Sequence, residues 1–136
     1  MPKATANTPE HHHRPSRQAL EDLMRQRILV LDGAYGSAFQ GYGLSEEAFR
    51  SQPYAEHDHP LQGNHDILNI TQPAIVAEVH DGYLAAGCDI ISTNTFNATA
   101  IAQEDFGTQG ICFEINKQAA AIARHCADAY TTQGKP

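Results

Sequence analysis

The segment Asp32-Gly33-Ala34-Tyr35-Gly36 holds residues whose types and spacing are suited to binding a small polar substrate. A carboxylate can receive a substrate ammonium group, and glycines beside it let backbone N–H groups approach a substrate carboxylate. Asp32, Gly33 and Gly36 are therefore candidate residues of an amino-acid site. Asp-Gly is also an ordinary turn pair, so a purely structural turn explains this segment equally well when it is taken singly.

A second polar segment, Ser92-Thr93-Asn94-Thr95-Phe96-Asn97, is the other candidate for this site. We expect Asn94, Thr95 and Phe96 to line it. Asn94 and Thr95 could equally cap the helix that is predicted to follow.

Sequence motifs for nucleotide binding are absent, and those for metal binding are weak. Neither GxGxxG nor GxxxxGK[ST] occurs, so nucleotide binding ranks low. The run His11-His12-His13 lacks the fixed geometry of a metal site, and we interpret it as part of a solvated tail. His57, Asp58 and His59 are better explained as polar loop residues than as a metal cluster. Cys88, Cys112 and Cys126 have no CxxC spacing and fit reduced, buried thiols.

Two short apolar runs precede the candidate segments and must position them. Ile28–Leu31 and Cys88–Ile91 are predicted strands, and the unbroken apolar character of the first is typical of a strand covered on both faces of a parallel sheet. Functional groups gather at the C-terminal ends of parallel strands. Both polar segments are therefore expected at one edge of the sheet.

Helical periodicity predicts the elements around these strands. Thr71 is the predicted N-cap of a helix with Pro73 in its first turn, and this helix should end at Gly87. A last helix is predicted from about Ile111 to Tyr130. Shorter helical pieces are predicted near residues 17–24, 45–50 and 98–105.

The order of these elements predicts an α/β fold with a parallel pair of strands. Two strands cannot bury the faces of several amphipathic helices, so we expect the sheet to be incomplete. Either another chain completes it or the sequence is a piece of a larger fold. Residues 1–16 are predicted to be a disordered leader, and residues 17–136 the folded portion.

Composition restricts the partners. Nine Lys and Arg stand against sixteen Asp and Glu, and the net charge of −7 disfavours a nucleic-acid partner. No apolar run approaches the roughly 20 residues that span a bilayer, and no apolar signal region follows the N-terminus. We expect a cytoplasmic protein with a small-molecule substrate and no membrane partner.

Three segments taken together resemble a known family more specifically than any one of them. They are ILVLDGAYGSAFQ at 28–40, GNHDILNITQPAIVAEVHDGYLAAGCDIISTNTFNATAIA at 63–102 and INKQAAAIARHCADAY at 115–130. They resemble the start of the homocysteine S-methyltransferase domain of cobalamin-dependent methionine synthases. The similarity runs in register from about residue 17 onward.

The resemblance implies a (β/α)8 barrel, of which this chain would hold the first two β/α units. It implies that homocysteine binds at the mouth of the barrel with its sulfur held by zinc as a thiolate, and that methylcobalamin donates the methyl group, giving methionine. Asp32, Gly33 and Gly36 match the family's DGAMGT-like motif. Asn94, Thr95 and Phe96 match its ETNTF segment.

The chain departs from the family at several positions. Tyr35 stands where the family usually has Met, Ser37 where it has Thr, and Ser92 where it has Glu, so the site loses a negative charge. The resemblance places the family's three zinc cysteines on later strands. The cysteines of this chain match none of those positions.

We therefore expect this chain alone to bind neither zinc nor methylcobalamin and to lack methyltransferase activity. The alternative is a non-catalytic interaction module or a split-enzyme piece, whose open sheet edges pair with the remainder of the barrel on another chain or with a second copy. With an unfinished sheet, the chain should be prone to aggregation or partly molten when it is made alone.

Overall fold

The computed structural model describes residues 16–52 and 54–131. The predicted leader, including the His11–His13 run, lies outside the described residues except for Ser16, which caps the first helix. The described helices are α1 (Arg17–Gln26), α2 (Tyr35–Gly41), α3 (Glu46–Phe49), α4 (Leu68–Thr71), α5 (Pro73–Ala85), α6 (Ala100–Gln103) and α7 (Cys112–Tyr130). Short 3-10 helices lie at His65–Ile67, Glu104–Phe106 and Gln109–Ile111. None of the described helices is long and apolar enough to cross a membrane.

The two predicted strands do not form in the described part of the chain. They are reduced to one isolated parallel bridge between Leu31 and Ile90. In this bridge the Asp32 N–H donates to the Ile90 carbonyl at 2.9 Å, and the Ile90 N–H donates to the Val30 carbonyl at 3.3 Å. The predicted α/β fold, with the first two β/α units of a (β/α)8 barrel, is therefore wrong for this structure, which is built from helices and this single bridge.

Two carboxylates interrupt the ladder on either side of the bridge. A continued parallel ladder would direct the Ser92 N–H to the backbone carbonyl of Asp32. This N–H donates instead to Asp32 Oδ2 at 2.6 Å. On the other side the Val30 N–H donates to Asp89 Oδ2 at 3.0 Å, and Asp89 is also held by a bidentate ion pair with Arg27. Side-chain acceptors thus take donors that a sheet would use.

The first predicted strand also lacks cover. Its side chains are largely exposed, with Ile28 at 87%, Val30 at 53% and Leu31 at 59% of their full accessible area. A parallel strand is stabilised by burial on both faces, and that burial is absent here. The expected cover on both faces of this run is therefore wrong as well.

The core lies between α5, α7 and the segment that leads into α4. On α7, Ile115, Ala119 and Ala123 are buried at four-residue spacing, so one face of this helix packs inward. The main apolar cluster consists of Phe39, Phe49, Leu61, Ile67, Leu68, Val76 and Val79. The predicted last helix is confirmed to within a residue of its start.

Helix α5 begins later than predicted. Gln72 is its N-cap, Pro73 is its first residue, and Thr71 lies buried at the end of α4 with its hydroxyl directed to the Ile67 carbonyl at 3.4 Å. Thr71 as N-cap is therefore wrong. The predicted end is confirmed, because Gly87 follows the helix with φ of 101°, a conformation that favours glycine.

Candidate functional site

Asp32 lies where the two candidate segments meet. The Leu31–Ile90 bridge brings Asp32 beside Ser92, whose hydroxyl donates to Asp32 Oδ1 at 3.0 Å in addition to its N–H on Oδ2. The Tyr35 hydroxyl donates to Oδ2 at 2.6 Å. These contacts give Oδ2 two hydrogen bonds and Oδ1 one.

Tyr35 is itself held by a buried histidine. Its oxygen lies 2.8 Å from Nδ1 of His80, whose side chain is fully buried on α5. Because the Tyr35 hydroxyl hydrogen is directed to Asp32, the oxygen accepts from His80, and the network therefore assigns the proton of the neutral ring to Nδ1. Nε2 of His80 is then a buried acceptor without a partner among the described residues.

Burial keeps both members of this pair neutral. Desolvation, reinforced by the hydrogen bond to Asp32, raises the pKa of Tyr35 well above its ordinary value. Desolvation lowers the pKa of His80, although the charges of Asp32 and Asp81 oppose this change. Tyr35 therefore acts as a neutral donor, and His80 as a neutral donor behind it.

The two candidate glycines have different surroundings. A Cβ on Gly33 would lie 3.0 Å from the hydroxyl oxygen of Tyr83, which donates to the Ala34 carbonyl at 3.0 Å. A Cβ on Gly36, in the first turn of α2, would lie 3.8 Å from its nearest neighbour, Nδ1 of His65. The Tyr83 ring therefore packs closely against Gly33, and a Cβ at this position would displace the ring.

Asn94 anchors the second candidate segment. Its side chain is buried and donates to the His65 backbone carbonyl at 2.8 Å. The backbone carbonyl of Asn94 accepts from the Asn69 side chain at 2.7 Å. The helix that follows is α6, whose N-cap is Thr99, with the Thr99 hydroxyl accepting from the Ala102 N–H at 3.3 Å. Capping of that helix therefore does not explain Asn94.

The turn after Asn94 is fixed at its end and exposed in its middle. The Asn97 N–H donates to Asp66 Oδ1 at 2.9 Å, and burial raises the pKa of this Asp66 carboxyl. The hydroxyls of Thr93 and Thr95 lie 2.7 Å apart. Phe96 between these anchors is 95% exposed. The structure thus joins Asp32 to Ser92 directly and presents Thr95 and Phe96 on the connected turn.

Sequence reasoning missed the roles of Tyr35 and His80. Tyr35 was notable only as a departure from the family motif. A signal for His80 exists, because it follows the buried Val76 by four residues and so falls within the apolar stripe of α5. A histidine within such a stripe indicates a buried polar partner elsewhere in the chain.

The residues do not fit the zinc site that the family resemblance implies. The described part of the chain contains no group of three or more His, Cys, Asp or Glu side chains able to hold a metal ion. Cys88 and Cys126 are buried, and desolvation raises the pKa of the Cys126 thiol to about 11.

His57 and His59 lie in the loop between α3 and the 3-10 helix at His65–Ile67, and their backbone carbonyls help to hold it. Arg50 donates to the carbonyls of His57 at 2.7 Å and His59 at 2.9 Å. Nε2 of His57 lies 2.8 Å from the Phe106 carbonyl. The Arg50 bonds hold the loop locally, and the His57 contact ties it to the segment at Phe106.

Comparison with known proteins assigns the family. A family model described as homocysteine S-methyltransferase matches residues 29–135, which include both candidate segments. This match confirms the resemblance to the homocysteine S-methyltransferase family. The family's name gives homocysteine as the substrate and methyl transfer as the activity. The chain therefore belongs to the homocysteine S-methyltransferase family.

Proposed function

We propose that this chain supplies part of the homocysteine site of a methyltransferase of the methionine synthase type. The observation that carries the proposal is the position of Asp32 at the junction of the two candidate segments. None of the ion pairs formed within the described residues involves Asp32, and its Oδ1 accepts one hydrogen bond from Ser92. This oxygen can accept a further bond from the substrate ammonium group.

The other candidate residues have distinct parts in this proposal. Gly36 leaves room beside the backbone for the substrate carboxylate, whereas the space beside Gly33 is filled by the Tyr83 ring. Phe96 offers an exposed apolar surface to the side chain of homocysteine, and Thr95 lies beside it. Asn94 acts indirectly, because its buried hydrogen bonds hold this turn in place.

The finer assignment depends on the sequence. The segments at 28–40 and 63–102 support the methionine synthase type, with methylcobalamin as the methyl donor and a zinc-held thiolate as the nucleophile. The described residues offer no group for that metal. We therefore propose that the chain by itself binds homocysteine and does not methylate it.

Calorimetric titration of the purified chain tests the binding proposal. L-homocysteine is compared with N-acetyl-L-homocysteine, which keeps the thiol and carboxylate and lacks the ammonium group. Because a hydrogen bond to a charged group is worth about 1.5–3 kcal/mol, the acetylated ligand should bind at least about tenfold more weakly. Equal affinities, or no binding of L-homocysteine, contradict the proposal.

The activity proposal has its own assay. The purified chain is incubated with L-homocysteine, methylcobalamin and zinc, and methionine is measured by mass spectrometry. We expect none above the level of a protein-free control. Methionine formed in proportion to the chain contradicts the proposed inactivity.

A second candidate function is a non-catalytic interaction module. The exposed side chains of Ile28, Val30, Leu31 and Ile90 favour it, because they surround backbone that pairs in only one bridge. On this proposal a second copy of the chain packs on these residues. Sedimentation velocity should then show self-association that the V30K variant reduces and the exposed-loop variant Q52K does not. A monomeric wild-type chain contradicts this candidate.

A further inference from the structure

We infer that Tyr35 and His80 are positioning residues that fix the Asp32 carboxylate to accept a primary ammonium group in preference to a guanidinium group. The inference rests on the proposed function, since it concerns the same carboxylate. The inference adds a source of ligand specificity from two residues outside the candidate set. Tyr35 lies on α2 and His80 on α5.

The three residues form a directed chain of hydrogen bonds. Nδ1–H of His80 donates to the Tyr35 oxygen at 2.8 Å, and the Tyr35 hydroxyl donates to Asp32 Oδ2 at 2.6 Å. Both donors point toward the carboxylate, so each bond polarises the next one and strengthens it. The direction of these hydrogen bonds follows from Asp32 alone, since an ionised carboxylate can only accept.

These hydrogen bonds leave the two oxygens of the Asp32 carboxylate with unequal numbers of donors. An ionised carboxylate has about four acceptor positions. Oδ2 already accepts from the Tyr35 hydroxyl and the Ser92 N–H, both at 2.6 Å, whereas Oδ1 accepts from the Ser92 hydroxyl alone at 3.0 Å. Capacity for a substrate donor is therefore concentrated on Oδ1.

This inequality distinguishes two kinds of cation. A guanidinium binds a carboxylate most strongly as a fork, with one N–H on each oxygen. The filled Oδ2 opposes that fork. An ammonium is a compact point charge and can bind through one oxygen. The arrangement therefore favours a substrate with a free α-amino group.

Packing holds the positioning pair in place. The ring of Tyr35 lies 5.2 Å from the ring of His80 and 5.6 Å from that of Tyr83, measured between ring centroids. His80 is fully buried. Because the partly buried Tyr35 ring packs against these two rings, moving it away from Asp32 would open the contact between α2 and α5.

Calorimetry on the full chain tests this specificity. The ligands are L-homocysteine and its derivative in which a guanidino group replaces the α-amino group. We expect the wild-type chain to prefer L-homocysteine about tenfold, and Y35F, which frees a position on Oδ2, to prefer it about threefold or less. The control Y42F removes a hydroxyl from the C-cap residue of α2, away from Asp32, and should keep the wild-type preference.

Two substitutions at His80 test the same series of hydrogen bonds at the residue farthest from Asp32. H80N keeps an amide donor near the position of Nδ1, and H80L removes the donor at similar volume. H80N should keep the wild-type ligand preference, and H80L should reduce it in the direction of Y35F. ¹⁵N NMR of the wild-type imidazole should show a protonated Nδ1 and an unprotonated Nε2. Circular dichroism checks that each variant folds.

The outcomes separate this inference from the proposed function. If the wild-type chain binds neither ligand, the proposed function fails and the positioning role fails with it. If L-homocysteine binds and Y35F keeps the wild-type preference, the positioning role alone is wrong. Where Y35F does not fold, the preference of H80L decides in the same way. A proton on Nε2 of wild-type His80 also overturns the inference.

Discussion

Ser92 donates its backbone N–H to Asp32 Oδ2 at 2.6 Å and its hydroxyl to Oδ1 at 3.0 Å. This pair accounts for two features of the molecule. The first bond takes the N–H that would continue the parallel pairing of the chain beyond Ile90, so the ladder stops there. Both bonds orient the carboxylate that we propose as the ammonium acceptor. Only the second bond depends on the side chain at position 92, because a hydroxyl can donate to the carboxylate and another carboxylate could not.

Neutralising Asp32 should weaken both folding and binding. In D32N one acceptor oxygen becomes an NH₂ group that faces the donors of Ser92 and Tyr35. We expect the free energy of unfolding to fall by about 1–3 kcal/mol. L-homocysteine should bind at least about tenfold more weakly, since the bond to a charged acceptor is lost. Urea unfolding and calorimetric titration measure the two effects.

The matched control for D32N is D58N, which removes the same charge from an exposed loop residue. D58N should leave the affinity for L-homocysteine unchanged. An affinity of D32N equal to that of the wild-type chain would remove Asp32 from the site.

Alanine should be tolerated at one candidate glycine and not at the other. In G33A the new Cβ would meet the Tyr83 hydroxyl at 3.0 Å and its ring carbon at 3.1 Å, so the ring must shift. Overpacking of this kind costs about 1–3 kcal/mol. In G36A the nearest atom lies at 3.8 Å, and alanine favours the helix by about 0.5–1 kcal/mol. Urea unfolding should therefore show G33A destabilised and G36A neutral or stabilised.

The double variant G33A/Y83F tests the cause of the G33A effect. Removal of the Tyr83 hydroxyl takes away the nearest atom and should restore part of the lost stability. No recovery would mean that the Tyr83 hydroxyl is not the cause, because the ring carbons at 3.1 and 3.3 Å remain in Y83F.

Stability should decrease as the pH falls below the ordinary pKa of histidine. Burial lowers the pKa of His80 and of His65 in the folded chain from 6.5. Between the lowered pKa of the folded chain and 6.5 the unfolded chain therefore binds more protons than the folded chain, and the free energy of unfolding rises with pH across that window. Each histidine contributes a slope of up to about 1.4 kcal/mol per pH unit. Urea unfolding at a series of pH values measures this slope.

The variant H80N should reduce the slope by the share of one histidine. The control H125N replaces an exposed histidine of α7 and should keep the wild-type slope. Asp66 acts in the opposite sense at lower pH, because its raised pKa stabilises the fold below 3.8 and this contribution is lost as the pH rises through the folded pKa. A wild-type slope in H80N would contradict the assignment to His80.

The buried side chain of Gln103 should be essential for stability. It is fully buried, accepts from Asn64 at 2.7 Å and from the Thr108 hydroxyl at 2.6 Å, and donates to the Asn97 carbonyl at 3.0 Å. Q103L would leave these groups buried without partners, at a cost of about 2–4 kcal/mol. Thermal and urea unfolding measure the loss. The exposed control Q109L should stay within about 0.5 kcal/mol of wild type.

Part of the fold could be predicted because the signals are local. The apolar spacing of α7 and the pair of Pro73 and Gly87 around α5 act within a few residues, and both helices were found. The strand at Ile28–Leu31 could not be assessed in this way. Four aliphatic residues predict a buried strand only if other elements cover them, and the structure leaves Ile28, Val30 and Leu31 exposed.

The sequence by itself determined the family, the main helices and the candidate carboxylate at Asp32, because motifs and helical periods are properties of neighbouring residues. Only the tertiary structure decided what surrounds that carboxylate. Tyr35 meets His80 across 45 positions of the chain, and Asp32 meets Ser92 across 60. The first of these contacts depends on how α2 and α5 pack, and the second on the bridge between Leu31 and Ile90. These hydrogen bonds orient the Asp32 carboxylate where a longer strand pairing was predicted, and no local sequence pattern predicts them.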